Sequence, residues 1–260
     1  MLLSYATGCI GRAMTSSENF LREFHTAHPG VTARALARGG SYARMAVRVR
    51  RDARVLDLAC GDGALLAELG PRAIGIDLTL AELDAAQGRH ACACARAQAL
   101  PFAAGSFDTV TCHFAFMLFD DLPAVVGELA RVLAPGGDFL ALLGGGPTAA
   151  GDDAFHRFLA LLPPRAAPRL GDPRAKSEAG WRALFRGWRV APFERWELDL
   201  SGTFEEVWSF LGASYEIPAE RASAMQRALR EATAEWGERV PCTAVAYLAQ
   251  AAVIQPSSAI

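Results

Sequence analysis

The segment VLDLACGDGALL, Val55 to Leu66, constrains this chain more than any other. Val55, Leu56 and Leu58 read as a strand covered on both faces, with the acid Asp57 set near its carboxyl end. Ala59, Cys60, Gly61, Asp62 and Gly63 form the turn that follows, and the glycines permit tight turning and close backbone approach. Ala64 to Leu69 is helix-forming. Such a strand, turn and helix leaves backbone N–H groups free beside a strand's carboxyl end, where open α/β sheets hold their ligands.

The next strand, AIGIDLT, carries Asp77 twenty residues beyond Asp57. A carboxylate so placed accepts hydrogen bonds from ribose hydroxyls. A dinucleotide site calls for G-x-G-x-x-G, whereas here Leu66 stands at the third glycine position. An acid two residues ahead of a glycine turn instead resembles the first motif of class I S-adenosylmethionine-dependent methyltransferases, with Ala59 replacing the usual first glycine. Two further segments resemble that family in the same order. ALPFAAGSFDTVTCHFAFM (99–117) is similar to the approach to its fourth strand, and RVLAPGGDFLAL (131–142) to its helix end, turn and fifth strand.

The resemblance implies a doubly wound, mostly parallel α/β sheet of seven strands and S-adenosylmethionine as cofactor. It implies contacts to that cofactor from Asp57, Ala59, Cys60, Gly61 and Gly63, from Asp77 and Leu78, from Ala97 and Gln98, and from His113. Tyr42, in the segment ahead of the sheet, is expected to touch it too. Arg96 stands where relatives carry an acid for the adenine amino group, and arginine accepts no hydrogen bond. Gln98 through its amide oxygen, with the Ala97 N–H, is one alternative; a one-residue slip of register is the other.

His113, after the fourth strand, is the candidate general base, since imidazole titrates near neutrality; a packing role is the plainer reading. His25, His28, Phe116, Met117, Trp208 and Tyr215 are candidate substrate contacts. His25 and His28 lack a third ligand nearby, so no metal site is expected.

The expected strands are 54–58, 73–77, 91–95, 107–112, 137–143, one long aromatic strand over WRVAPFERWELDL, and TAVAYLAQAAV. Helices at 63–69, 79–87 and 121–133 connect the first five. Residues 1–16 are expected to be disordered and 17–260 to form a single domain. Within it, 17–50 are a helical cover begun at a Ser17 cap, and 203–236 a helical lid inserted before the last strand. PPRAAPRLGDPRAK between them reads as a proline-rich loop.

Composition excludes more than it assigns. A net charge of −2 and scattered arginines give no footprint for nucleic acid. No run is long enough to span a bilayer, and MLLSYATGCIGRAM lacks the basic region of a signal peptide. The six cysteines show no metal spacing and are expected as reduced thiols. With the resemblance, the expectation is a cytoplasmic monomer or homodimer that acts on a largely apolar small molecule, and methyl transfer to O, N or C is what the resemblance implies. A chain that binds the nucleoside without transferring methyl is the alternative.

Overall fold

In the computed structural model, the alternation of short apolar strands and amphipathic helices becomes one twisted sheet with helices on both faces. Residues 14–86, 89–162, 171–215 and 217–255 are described. The strands are β1 (Val55–Leu58), β2 (Ala73–Asp77), β3 (Ala91–Cys94), β4 (Phe107–His113), β5 (Leu133–Pro147), β6 (Arg189–Val190), β7 (Glu194–Asp199) and β8 (Thr243–Ala252). Their order is β3-β2-β1-β4-β5-β8-β6, with β7 also on β8. The first five run parallel, while β8 is antiparallel to β5, β6 and β7.

Eight strands therefore replace the expected seven, because the long sixth strand is interrupted. Arg189 faces Ala252 and Val190 faces Ala251, yet Glu194 faces Leu248, so the edge carries one extra residue across the break. Pro192 lies there, and proline cannot donate to a ladder. Strand β5 also extends well beyond the expected 137–143, with a register shift between Gly144 and Gly146.

Ahead of the sheet come α1 (Ser16–Ala27), α2 (Val31–Arg38) and α3 (Ser41–Ala46), broken at Gly30 and Gly40, whose positive φ only glycine adopts freely. The cap of α1 is Thr15 rather than Ser17: its hydroxyl accepts the Glu18 N–H, and the Glu18 carboxylate accepts the Thr15 N–H. Of the segment expected to be disordered, residues 1–13 lie outside the described ones, while Thr15 and Ser16 already belong to the start of α1. Residues 163–170 of the proline-rich loop also lie outside them.

Later helices are α4 (Ala64–Leu69), α5 (Leu80–Ala86), α6 (Leu122–Val132), α7 (Ala154–Leu161), α8 (Glu178–Leu184), α9 (Phe204–Ala213) and α10 (Ala219–Ala232). One apolar cluster joins β4, β5 and β8 to α6 and α8 around Phe116, Phe139, Trp181 and Phe185. A second joins β5, β7 and β8 to α2, α7, α9 and α10 around Phe158, Trp196 and Leu211. With both faces covered, the strand ends become the one place where a cleft opens without exposing the core. Cys60, Cys92, Cys112 and Cys242 are free thiols, whereas Cys94 is disulfide-bonded, a departure from the expected reduced set.

Candidate functional site

A cavity of about 510 Å³ lies at the carboxyl ends of β1, β2, β4 and β5, closed on its outer side by α1, α2 and the end of α9. That volume suits a small-molecule site. Asp57 and Asp77 stand at adjacent strand ends on its wall, but the two acids do different things.

Asp77 holds the glycine turn. Its Oδ2 accepts the Gly61 N–H at 2.9 Å and its Oδ1 the Thr79 N–H at 2.8 Å. A carboxylate offers about four acceptor positions, so each oxygen retains capacity for a ligand hydroxyl. Asp57, 1 % exposed, instead accepts the Thr111 hydroxyl of β4 at 2.9 Å through Oδ1, and Oδ2 takes no hydrogen bond from a described residue. Burial pushes the Asp57 carboxyl up to about 7 against the lowering effect of Thr111, and neighbouring Asp77 adds to the rise. Burial likewise raises Asp77 and Asp62, the latter helped by Glu82. This wall is an acidic, desolvated surface suited to a cationic ligand.

Helix α1 and the turn after it are fastened to that wall. Glu82 of α5, almost fully buried, accepts the Gly30 N–H at 3.1 and 3.2 Å and pairs with His25 Nδ1 at 2.9 Å. Arg96 Nη2 donates to both carboxylate oxygens of Glu18 at 2.7 and 2.8 Å, with both side chains largely buried. Arg96 is thus paired with an acid carried by another element. Gln98 Nε2 donates to the Asp120 carbonyl at 3.0 Å, which leaves its amide oxygen without a described partner.

His113 stacks on Tyr42 with ring centres 4.2 Å apart, and its Nε2 lies 3.0 Å from Ser41 Oγ. The single Ser41 proton goes to the Leu36 carbonyl, so Nε2 is the protonated nitrogen that donates to Ser41. Burial pushes the His113 imidazole down to about 3, so near neutrality it is uncharged and accepts a proton weakly. Burial and then Asp62, Asp57 and Glu82 drive the Tyr42 phenol well above its usual range, which keeps the hydroxyl protonated.

The cavity brings together Tyr42, Asp57, Ala59, Cys60, Gly61, Asp77, Leu78, Ala97, Gln98 and His113, with His25, Met117 and Tyr215 of the substrate candidates. Gly63, His28, Phe116 and Trp208 stand apart from its lining. Gly63 begins α4 and faces His90 and Ala86. His28 packs on Phe24 at the helix end. Phe116, 0 % exposed, lies in a short 3-10 turn that aims it at Phe139 and Trp181, which satisfies its apolar ring. Trp208 packs on Phe158, and of the expected lid only the α9 end and the turn after it, including Phe210 and Tyr215, reach the cavity.

Sequence reasoning missed Glu18, Asp62, Glu82 and Phe114 as lining residues. The T-x-x-E box at Thr15–Glu18 announces a helix start, not where its acid points. Glu82 is one acid among several on an ordinary helix, so nothing local marks it. Among the described residues no cluster of His, Cys, Asp and Glu is arranged to hold a metal, and no helix is long and apolar enough to cross a membrane.

A protein-family model described as "Methyltransferase domain" matches residues 56–141, from β1 into β5. A demethylmenaquinone methyltransferase of Thermus thermophilus is 43 % identical over 101 residues, 34 % of this chain and 46 % of its own length. The uncharacterized methyltransferase YcgJ of Bacillus subtilis is 30 % identical over 174 residues, 58 % of this chain and 63 % of its own. The chain thus spans about half to three-fifths of the curated relatives it matches. The crystal structure of YcgJ overlays with a TM-score of 0.56 at 23 % identity, covering 85 % of this chain and 99 % of that one. Geranyl diphosphate C-methyltransferase from Streptomyces coelicolor, solved with S-adenosyl-L-homocysteine, overlays at 0.55 and 14 % identity, covering 94 % and 100 %. Over residues 56–141 the chain matches the methyltransferase-domain family in sequence, and over most of its length it shares the fold of methyltransferase structures.

Proposed function

We propose that this protein transfers a methyl group from S-adenosylmethionine to a largely apolar small molecule. The observation that carries this reading is Asp77: a half-buried carboxylate pinned by the Gly61 and Thr79 N–H groups, with acceptor capacity left for a ribose diol. The residues present fit the cofactor. Its amino-acid ammonium and its sulfonium are both cationic, and the wall formed by Asp57, Asp62 and Asp77 carries carboxyls held high by burial that a cation would stabilise. Ala97 and Gln98, whose amide oxygen has no described partner, line the same cavity and would take the adenine edge. When bound, the cofactor supplies the activated methyl group.

The protein's contribution is placement. Phe114, Phe155, Phe210 and Tyr215 give the rest of the cavity an aromatic lining that excludes water and suits an apolar acceptor. Near-attack alignment of two bound reactants accounts for about 7–11 kcal/mol of a barrier, so the transfer needs no strong base. A neutral His113 that is a poor proton acceptor agrees with that division of labour.

Incubating the protein with methyl-labelled S-adenosylmethionine and a metabolite extract tests the reading. Label in a product supports transfer. Tight cofactor binding without labelled product would favour the alternative, a nucleoside-binding protein that does not methylate.

A further inference from the structure

Phe114 is the residue whose conformation asks most for an explanation. It follows β4, and its backbone is held at φ +56° by its N–H, which donates to the Leu142 carbonyl at 2.8 Å. Bulky residues are genuine outliers in this left-handed region, and glycine would adopt it without steric cost. Most positive-φ positions among the described residues are in fact glycines. The chain keeps an aromatic ring here instead.

The ring's surroundings are built to receive it. It is half-buried, lines the cavity, and packs against the apolar clusters of both sheet faces, so it stands where the two layers meet. Gly144 of β5 leaves room for it: a Cβ at that position would lie 3.3 Å from Phe114 Cε1. His113 lies 5.2 Å from it between ring centres, tilted by 41°, and His113 in turn stacks on Tyr42. The three rings are neighbours along the cavity, Tyr42 stacked on His113 and Phe114 tilted to it, and burial keeps the imidazole among them uncharged.

We propose that Phe114, seated on Gly144, selects acceptors with a flat, unsaturated carbon frame. This rests on the proposed transfer reading, because it concerns the acceptor half of the same cavity. A planar frame lies along the Phe114 ring at van der Waals distance over the area of that ring, whereas a puckered saturated frame of equal size touches it at fewer points. Strained backbone clusters where a site over-determines geometry, and a ring aimed into a cavity is such a use.

The probes are 2-naphthol and decahydro-2-naphthol, which share frame and hydroxyl and differ in planarity. Binding is measured by calorimetry on protein saturated with S-adenosylhomocysteine. Unaltered protein is expected to favour 2-naphthol at least tenfold. Phe114→Leu should bring that ratio near one, and Phe114→Tyr should keep it, each with S-adenosylhomocysteine affinity changed less than twofold. Gly144→Ala, which crowds the ring without replacing it, should weaken 2-naphthol several-fold and serves as the check where a Phe114 variant folds poorly. An equal affinity for the two probes, no binding of either, or a ratio that survives Phe114→Leu would overturn the proposal while leaving cofactor binding intact. Failure of the unaltered protein to bind S-adenosylhomocysteine would instead remove the transfer reading, and this proposal with it.

Discussion

At the scale of single residues, two acids a strand apart look alike in the sequence and differ in the fold. Asp77 both fixes the Gly61 turn and faces the cavity, so Asp77→Asn replaces one charge-assisted acceptor by a donor pointed at a backbone N–H. S-adenosylhomocysteine binding should weaken by about 1–3 kcal/mol, read by calorimetry. Asp57 gives a pH signature. Its folded value near 7 lies above that of an unfolded aspartate, so its contribution to stability is present at low pH and is lost as pH rises through about 7. A cationic cofactor prefers the ionised form. Its affinity should therefore rise with pH up to about 7 and then level, with proton release visible as a buffer-dependent binding enthalpy. Asp57→Asn should flatten that profile. For His113, an imidazole near 3 that already donates through Nε2, His113→Gln should lower turnover by less than about tenfold with cofactor affinity intact. A loss of about 10²–10⁴-fold would return it to the role of general base. The motif made Asp57, Gly61 and Asp77 legible because their work is done by neighbours in sequence. Glu18, Glu82 and Phe114 were not legible, since each matters through a partner far along the chain: Arg96, Gly30 and Gly144.

At the scale of elements, the most consequential is α1, a polar helix held over the cavity by Glu18–Arg96 and His25–Glu82. It has few apolar contacts of its own, and such elements open more readily than the sheet beneath them. Hydrogen exchange should show α1 gaining protection when S-adenosylhomocysteine binds. Glu18→Gln, which removes the charge of the Glu18–Arg96 pair that fastens α1, should raise exchange of α1 with and without ligand. Exchange of α1 that is slow and indifferent to ligand would make it fixed scaffold. Most elements were readable from periodicity and glycine placement, because β1 to β4 are short runs divided by turn residues. Two features escaped that reading. The division of the sixth strand turns on one proline in an otherwise regular run, and α10 packs on α7 and α9 instead of facing the cavity, a tertiary choice its own pattern does not encode.

At the scale of the whole molecule, the sheet joins two apolar layers, and the layer under α8 is the more aromatic. Trp181 is fully buried, lies parallel to Phe139 at 5.7 Å, and donates from Nε1 to the Ala175 carbonyl at 2.7 Å. Trp181→Ala leaves both a void and an unpaired carbonyl, and should cost about 3–5 kcal/mol by urea denaturation. Trp181 stands outside the lining of the cavity, so the variant that remains folded should keep its cofactor affinity. The interrupted outer strand bears on how copies of the molecule meet. A long, flat sheet margin with unpaired backbone groups recruits further strands and drives aggregation. Here one margin is β3, four residues long, and the other is split at Pro192, with Arg195, Glu197 and Asp199 exposed along β7. Neither margin offers a template for a foreign strand, so copies that associate would do so through helical faces, and the sheet would end where this chain ends it.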